Sequence, residues 1–230
     1  MSFQEFTLYH FYLCPYCKPI CYFIQTTKLP CKQIHLDLRH GEQHSPEYLK
    51  VNPLGKVPAI IEPNGFILFE SSTILRYLCN TRNVPDHWYP KDPVKRSQVD
   101  LFFDWYQIGS QAFAKYFMSR LPFLYRRYKL DPEVTLKELE KVLGEMERVF
   151  LRDRKFLAGD EISLADIQII FFFAEIELVG YNLAKYKKLE EWKERVLSTS
   201  IKLDYEMFIS DFKKRIEERL SSLENSKPKL

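Results

Sequence analysis

Two cysteines near the start of the chain, Cys14 and Cys17, carry the residue type and spacing of a redox centre, in the stretch YLCPYCKP. A Cys-x-x-Cys spacing is typical of thiol-disulfide exchange. Cys14 is predicted to lie where a strand ends and a helix begins, and the free backbone N–H groups of a helix start favour thiolate over thiol. Cys17, one turn later, is placed to attack a mixed disulfide on Cys14. We therefore predict both as catalytic residues.

Other interpretations of this pair remain open. A chain with five cysteines can place two thiols at this spacing by coincidence, and Cys14 can also stand in for a hydroxyl group. Pro19 lacks a backbone N–H, so the helix can begin later than Cys14, which would weaken the dipole at the thiol. Because the cysteine count is odd and no export signal is found, we expect Cys21, Cys31 and Cys79 to be small buried apolar residues without disulfides.

A proline at the start of a predicted strand is the second candidate feature, in the stretch VPAI. Pro58 cannot donate a hydrogen bond to a sheet, and such prolines often follow a cis peptide bond. A cis bond would turn the backbone N–H and C=O of Val57 toward solvent, where a peptide ligand can pair with them as an added strand. The alternative is an edge-strand proline without a role in binding.

The pair Glu70-Ser71 begins a predicted helix. There a free backbone N–H and the serine hydroxyl can receive a carboxylate, and Glu70 can receive an ammonium group. An amino-acid head group fits both residues. Taken alone, Ser71 is equally well explained as the N-cap of the helix.

A metal site is not predicted. His40 and His44 are four residues apart, but Gly41 and the Ser45-Pro46 step indicate a loop rather than a helix that would bring the two rings together. A zinc site built on cysteine would need a second Cys-x-x-Cys pair, which the sequence lacks.

The pattern of the first 80 residues predicts a βαβ unit followed by a ββα unit. Alternation of apolar and polar residues indicates the strands, steps of three and four indicate the helices, and a Pro-Asn-Gly turn joins two strands in a hairpin. Strands are predicted over Glu5–Tyr12, Lys32–Leu38, Val57–Ile61 and Phe66–Phe69, and helices over Ile20–Thr27 and Ser71–Leu78.

The remainder of the chain is predicted to be helical. Prolines and polar residues from Asn80 to Pro93 are typical of an interdomain linker. Ser163 and Asp166 form a capping box ahead of an apolar run that is too short to span a bilayer and predicts a buried helix. We expect an α/β domain at residues 1–82, a linker at 83–92 and an all-helical domain at 93–230.

Composition excludes several classes of function. The net charge of +3 is the difference between 34 basic and 31 acidic residues without a dense basic block, so nucleic-acid binding is not expected. A hydrophobic content of 46% with 28% charged residues describes a soluble protein rather than a membrane protein. The first residues lack the pattern of a secretory signal, so we expect a cytoplasmic protein.

The order of these features resembles the cytosolic glutathione transferases, and their theta class in particular. The stretches LYHFYLCPYCKPICYF, VNPLGKVPAI, ESSTILRYL and HWYPKD align without gaps with the theta pattern from Leu8 to Asp92. The helical part carries FLAGDEISLADI, and the similarity continues through Ile201. The resemblance implies a thioredoxin-like N-terminal domain followed by an all-helical C-terminal domain, a fold of the α/β plus all-α class.

The resemblance also implies glutathione as co-substrate and a set of contacts for it. The γ-glutamyl end would bind Glu70 and Ser71, the cysteinyl backbone would pair with Val57 ahead of a cis Pro58, and the glycine carboxylate would meet Lys56 and Gln43. Gln43 stands where the theta pattern often has histidine. A small apolar electrophile would be held by the helical domain, the last helix stands where that class covers the active site, and the family implies a homodimer.

The chain departs from the theta pattern at Cys14, which stands where that class has a serine that hydrogen-bonds the glutathione thiolate. A cysteine with a depressed pKa can instead form a mixed disulfide with glutathione. The Cys-Pro-Tyr-Cys motif resembles that of omega-class transferases and glutaredoxins. Tyr9 and Tyr12 are further candidates for this role, because other classes use a tyrosine near the first strand.

We therefore predict a glutathione transferase that uses Cys14 for glutathione-dependent thiol transfer, with weaker conjugating or peroxide-reducing activity. The alternative is a non-catalytic, transferase-like interaction module, which need not retain the glutathione contacts. Six aromatic residues at helical spacing either line the electrophile pocket or belong to the core. They are Phe102, Phe103, Tyr106, Phe113, Tyr116 and Phe117.

Overall fold

A computed structural model describes residues 4–225 of the chain, apart from the side chains at positions 125, 126, 224 and 225. Its first domain is built on a four-stranded sheet in the order β2-β1-β3-β4. Strand β1 is parallel to β2 and antiparallel to β3, and β3 is antiparallel to β4. The elements are β1 (Phe6–His10), α1 (Lys18–Thr27), β2 (Cys31–His35), α2 (Pro46–Leu49), β3 (Ala59–Ile61), β4 (Ile67–Phe69) and α3 (Ser71–Thr81). The predicted βαβ and ββα order is confirmed.

All four strands are shorter than predicted, for local reasons. Strand β3 starts at Ala59 because Pro58 has no N–H to donate to the sheet. Strand β2 ends at His35, and Asp37 then closes a turn in which its carboxylate accepts the backbone N–H of Arg39 at 2.9 Å. This turn replaces the predicted continuation of the strand to Leu38.

The second part of the chain is all helical, as predicted. It consists of α4 (Pro93–Arg120), α5 (Pro122–Tyr128), α6 (Pro132–Glu145), α7 (Leu164–Leu178), α8 (Lys187–Leu197) and α9 (Ile201–Asn225), and α6 continues into one π-helical turn at Met146–Phe150. Residues 164–176 of α7 are all buried, and α4, α9, α1 and α8 pack around this helix. The apolar run identified in the sequence is therefore the centre of the core. Within the described part of the chain, no helix is long and apolar enough to cross a membrane.

The predicted capping box at the start of α7 is confirmed. The Ser163 hydroxyl accepts the backbone N–H of Ala165, and Asp166 accepts the backbone N–H of Ser163 at 2.8 Å. The second oxygen of Asp166 accepts the backbone N–H of Leu157 at 2.9 Å and the indole N–H of Trp192 at 2.8 Å. One buried carboxylate thus joins α7 to α8 and to the loop ahead of α7.

The two parts of the chain share one hydrophobic core. The segment between α3 and α4 forms a short 3₁₀ turn, and its buried Trp88 packs edge-on against Tyr22 and Phe23 of α1. The six aromatic residues of α4 named above are all buried, which favours the core interpretation over the electrophile pocket.

Candidate active site

A cleft of about 500 Å³ lies between the first domain and α4. It brings together seven of the eight residues predicted for the site, from separate stretches of the chain: Cys14, Gln43, Lys56, Val57, Pro58, Glu70 and Ser71. The eighth, Cys17, is fully buried behind Cys14 and does not line the cleft. Sequence reasoning did not place the remaining lining residues there: Tyr16, Leu38, Asn52, Gly55, Gln107, Ser110 and Gln111.

Cys14 lies in the turn between β1 and α1. Its backbone N–H donates to the C=O of Phe11 at 3.0 Å, and its C=O accepts the N–H groups of Cys17 at 2.9 Å and Lys18 at 3.1 Å. Helix α1 begins at Lys18, with Cys17 at the N-cap and Pro19 in the first turn. The helix therefore starts one turn later than Cys14, which is the alternative that Pro19 raised.

Hydrogen bonds, rather than the helix start alone, lower the pKa of the half-buried Cys14 thiol. A hydrogen bond from the Cys17 thiol lowers the pKa of Cys14, and bonds from the backbone N–H groups of Tyr16 and Cys17 lower it further, against the burial that raises it. Burial and the neighbouring Cys14 sulfur raise the pKa of Cys17 well above its usual value. The pKa values of the two thiols are thus shifted in opposite directions, and Cys14 is the more acidic of the pair.

Tyr16 connects this turn to the helical domain. Its ring packs edge-on against Phe172 of α7, with 5.0 Å between ring centroids, and against Tyr106 of α4 at 6.4 Å. Burial raises the pKa of Tyr16, opposed by a hydrogen bond with Ser110 of α4. The Cys14 turn is therefore held from both domains.

The two tyrosines considered as alternatives to Cys14 lie outside the cleft lining. Tyr9 packs against Tyr48, with ring centroids 5.4 Å apart. Tyr12 packs against Phe11 and His35 on the surface. The structure favours position 14 over either of them.

The loop ahead of β3 presents backbone to the cleft. The peptide bond between Val57 and Pro58 is cis, as the resemblance implied. Within residues 4–225, the backbone N–H and C=O of Val57 have no hydrogen-bond partner. The preceding C=O of Lys56 accepts the Tyr48 hydroxyl at 2.6 Å and the Asn52 side-chain amide at 2.7 Å. These two bonds fix the loop and leave the peptide group of Val57 open to a ligand.

Glu70 and Ser71 lie at the start of α3. Glu70 is exposed and has a left-handed backbone with φ of 74°, which is uncommon for a residue other than glycine and is found at binding sites. Ser71 is buried, and its hydroxyl oxygen accepts the side-chain amide of Gln168 at 2.8 Å. The Ser71 proton is therefore left to donate to a ligand. Gln168 comes from α7 and also donates to the Tyr106 hydroxyl at 3.0 Å.

Gln43 and Lys56 line the cleft from the segment between β2 and β3. Gln43 is in a 3₁₀ turn at Glu42–His44, and its buried Oε1 has no hydrogen-bond partner among the described residues. Lys56 is exposed and makes no ion pair with the described part of the chain. Gly55, between them, has a φ of 60°, and a Cβ there would lie 2.6 Å from the His44 ring. Gln43 and Lys56 thus offer an amide and a cation to a ligand.

The histidine pair and the three remaining cysteines lie outside the lining of the cleft. His40 lies in a turn, as expected, with Nδ1 3.0 Å from the Asp37 carboxylate, and the described residues contain no group of three His, Cys, Asp or Glu side chains that fits a metal ion. The expectation that Cys21, Cys31 and Cys79 are buried is wrong, because all three are half-buried at the margins of the core. Desolvation nevertheless raises the pKa of each of these thiols to about 12.

Helix α9 contributes no residue to the lining of this cleft within the described part of the chain. It packs instead against α7 and α8, and Asp204 makes an ion pair with Lys18 of α1 at 3.6 Å. Ser200, just ahead of α9, hydrogen-bonds the Tyr22 hydroxyl at 3.0 Å. The last helix therefore supports α1 beside the Cys14 turn rather than covering the cleft.

A thioredoxin-like domain whose cleft opens against an all-helical domain defines a known class of two-domain protein, and comparisons agree. A family profile described as "Glutathione S-transferase, N-terminal domain" matches residues 8–86, and one described as "Glutathione S-transferase, C-terminal domain" matches residues 109–199. Theta-1 glutathione S-transferase of Bos taurus is 36% identical over 187 residues, which are 78% of this chain and 77% of the bovine protein.

Solved structures agree with the sequence comparison. Apo human glutathione S-transferase T1-1 matches with a TM-score of 0.80 and 27% identity, over 95% of this chain and 97% of the human chain. Human theta-2 transferase, solved with glutathione and an unknown ligand, matches with a TM-score of 0.82 and 25% identity, over 93% and 91% of the two chains. The chain belongs to the glutathione S-transferase family. The predicted enzyme class and fold are confirmed, and the non-catalytic module is not favoured.

Proposed function

We propose that this glutathione transferase uses Cys14 as a nucleophilic thiolate in glutathione-dependent thiol transfer. The observation that carries the proposal is the arrangement of the two cysteines at the cleft: a half-buried Cys14 with a lowered pKa, and a buried Cys17 that donates to it. A serine at position 14 could only hydrogen-bond a glutathione thiolate. A Cys14 thiolate can itself form a disulfide bond with the glutathione sulfur.

The cleft supports a glutathione molecule lying from Glu70 to Lys56. The γ-glutamyl ammonium would meet the exposed Glu70, and its carboxylate would accept the free proton of Ser71. The cysteinyl backbone would pair with the open peptide group of Val57. The glycine carboxylate would lie at the far end, near the Lys56 ammonium and the Gln43 amide. This orientation directs the glutathione sulfur toward Cys14.

In the proposed exchange, the Cys14 thiolate attacks the glutathione sulfur of a mixed disulfide. A new bond forms between Cys14 and glutathione, and the electron pair of the broken bond leaves with the second thiol, which takes a proton. A second glutathione then attacks the glutathione sulfur of the adduct, so that glutathione disulfide leaves and the Cys14 thiolate is restored. Attack by Cys17 on the Cys14 sulfur would instead release glutathione and leave a Cys14–Cys17 disulfide, which two further glutathione molecules reduce. Since burial raises the pKa of Cys17, its main role is to donate to the Cys14 thiolate.

We also propose a compartment, domain limits and an oligomeric state for this enzyme. The described chain holds five free cysteines, which suits a reducing compartment such as the cytoplasm. We propose domain limits at 1–82 and 93–230 with a linker at 83–92, and the matched family regions fall on either side of that linker. We also propose a homodimer that acts on a small apolar electrophile or disulfide.

The test is mass spectrometry of the protein after incubation with glutathione disulfide. We expect a glutathione adduct on Cys14 that reduced glutathione removes, together with turnover of a glutathione mixed disulfide. A Cys14→Ser variant should lose the adduct and the turnover, while Cys79→Ser should retain both. Absence of an adduct from the wild-type protein would overturn the thiol-transfer mechanism and leave conjugation of electrophiles as the activity of the cleft.

A further inference from the structure

An amide side chain of the helical domain contacts the predicted glutathione site without lining the cleft. Gln168 of α7 is fully buried and does not belong to the lining residues. Its Nε2 nevertheless donates to the hydroxyl oxygen of Ser71, which does line the cleft, at 2.8 Å. Gln168 is therefore one hydrogen bond away from any ligand that binds the Ser71 side chain.

A second hydrogen bond fixes the orientation of this amide. Nε2 carries two protons, and the other one goes to the hydroxyl of Tyr106 on α4 at 3.0 Å. Ser71 and Tyr106 are both buried, and Gln168 Oε1 has no hydrogen-bond partner among the described residues. Because a buried donor without an acceptor is costly, the two hydroxyl oxygens hold the amide with its nitrogen toward Ser71.

The bond from Gln168 determines how the Ser71 hydroxyl can act on a ligand. A hydroxyl has one proton to donate, and within the described part of the chain Ser71 donates it to no other group. Since Gln168 acts as the donor to the Ser71 oxygen, the Ser71 proton is available to a ligand. Ser71 also begins α3, where free backbone N–H groups and the positive end of the helix favour an anion.

The direction of this proton matters because the cleft offers no cation at this position. Among the described residues that line the cleft, Lys56 is the one cationic side chain, and it comes from the segment ahead of β3. Glu70, next to Ser71, is acidic. A carboxylate bound at Ser71 therefore depends on hydrogen-bond donors rather than on an ion pair.

We propose that Gln168 is a positioning residue for glutathione, which keeps the Ser71 hydroxyl as a donor to the γ-glutamyl carboxylate. The proposal rests on the orientation of glutathione proposed above. Gln168 does not touch the reacting sulfur atoms, so it should act on the affinity for glutathione and on KM, while kcat for exchange at Cys14 stays unchanged. Through this bond, α7 of the helical domain contributes to ligand binding in the first domain.

Binding of S-methylglutathione, measured by isothermal titration calorimetry, tests the proposal without requiring turnover. The methyl group blocks the sulfur, so the affinity does not depend on the chemistry of Cys14. Gln168→Leu keeps a side chain of similar size but removes the donor, and Ser71 is then free to turn its proton away from the ligand. We expect the affinity to fall on the order of tenfold, with a matching rise in KM for glutathione and an unchanged kcat.

A ligand without the carboxylate separates positioning from a general structural effect. In S-methyl-(4-aminobutyryl)-cysteinyl-glycine, the γ-glutamyl group keeps its amine and lacks its carboxylate. This analogue should bind the wild type and Gln168→Leu equally. An equal loss of affinity for both ligands would overturn the proposal, because it would show that Gln168→Leu distorts the whole cleft.

Protein controls separate the bond to Ser71 from the bond to Tyr106. Tyr106→Phe removes the second acceptor of Gln168 and keeps the bond to Ser71, so it should retain the affinity for S-methylglutathione. In a Ser71→Ala background, Gln168→Leu should cause no further loss, because the hydroxyl that it positions is gone. A loss that persists in this background would contradict the proposal.

The remaining outcomes are also decisive. Gln168→Asn keeps a buried amide that is one methylene group shorter, and it should show the same loss if Gln168→Leu does not fold. Wild-type affinity in Gln168→Leu or in Gln168→Asn would overturn the role of Gln168, even if glutathione disulfide forms its adduct on Cys14. If the expected losses are found but no adduct forms, the role of Gln168 stands and thiol transfer fails. A wild-type protein that does not bind S-methylglutathione would overturn the proposal together with the glutathione site.

Discussion

The reactivity of a single sulfur at the cleft depends on its neighbour. The Cys17 thiol lies within the core and donates to Cys14, and this bond is the largest of the contributions that lower the pKa of Cys14. A hydrogen bond to an ionised group stabilises that ionised form. In the proposed mechanism, Cys17 therefore acts through the pKa of Cys14 even when it forms no bond to glutathione.

Replacement of Cys17 by alanine should reduce the reactivity of Cys14 at neutral pH. Loss of the donor raises the pKa of Cys14, so a smaller fraction is thiolate at pH 7 and the alkylation profile moves to higher pH. The rate of iodoacetamide modification at Cys14, followed by mass spectrometry across pH, measures this shift. Cys21→Ala removes a thiol one turn further along α1 and should leave the profile unchanged. A wild-type profile in Cys17→Ala would show that the backbone N–H groups alone stabilise the thiolate.

Sequence reasoning found the residues of the cleft that local patterns identify. Cys14, Pro58 and Ser71 each stand within one turn of the start of a helix or strand, where turn chemistry predicts a free backbone group or a reactive side chain. Gln168 and Glu175 carry no such signal, because they stand in an apolar helix. Gln168 binds a residue 97 positions away in the chain, and a contact of that kind depends on how α7 packs.

At the scale of elements, α7 is positioned by the buried carboxylate of Asp166. Its two oxygens accept the backbone N–H groups of Leu157 and Ser163 and the indole N–H of Trp192. Periodicity and the capping box predicted this helix and its first turn. The bonds to Leu157 and Trp192 were not predicted, because they come from a loop and from another helix.

Asp166→Ala should lower the free energy of unfolding by about 3–5 kcal/mol. Removal of the carboxylate leaves several buried donors without an acceptor, and each costs about 1–3 kcal/mol with partial relief by relaxation. Urea titration followed by tryptophan fluorescence measures the change. Asp160→Ala alters an exposed acidic residue of the same loop and should remain within about 0.5 kcal/mol of the wild type. A similarly small loss in Asp166→Ala would mean that water replaces the carboxylate.

Glu175 shows that predicting a helix does not predict which of its polar side chains are buried. The apolar run from Ile167 to Ala174 indicated a buried element, and the sequence assigned no place to the glutamate that follows it. The structure buries that glutamate because α4, α9 and α1 surround the helix over most of its length. Burial raises the pKa of this carboxyl well above its usual range.

At the scale of the whole molecule, α4 leaves an apolar stripe uncovered. Val94, Leu101 and Ile108 are spaced by seven residues, which places them on one face of the helix, and they are 71%, 51% and 76% exposed. Exposed apolar residues that recur on one face of a helix are suited to an interaction surface. No sequence signal separated them from core residues, because the other face of the same helix is equally apolar. We propose this stripe as part of the homodimer interface.

Glutamate at two of these positions should separate the subunits. In Leu101→Glu/Ile108→Glu, each interface would bury unpaired carboxylates, a change that costs several kcal/mol per interface. Sedimentation velocity at micromolar protein should then show a monomer where the wild type sediments as a dimer. Cys14 lies in the turn between β1 and α1 rather than on α4, so each separated subunit should still form the Cys14 glutathione adduct.

Helix α9 offers the matched control. Leu203 and Met207 are 62% and 52% exposed and lie four residues apart on one face, so Leu203→Glu/Met207→Glu adds the same two charges elsewhere on the surface. This variant should remain dimeric, because α9 carries no part of the proposed interface. Dissociation of the α9 variant instead of the α4 variant would assign the interface to α9. A wild-type protein that sediments as a monomer would remove the homodimer, and the stripe on α4 would then need another partner.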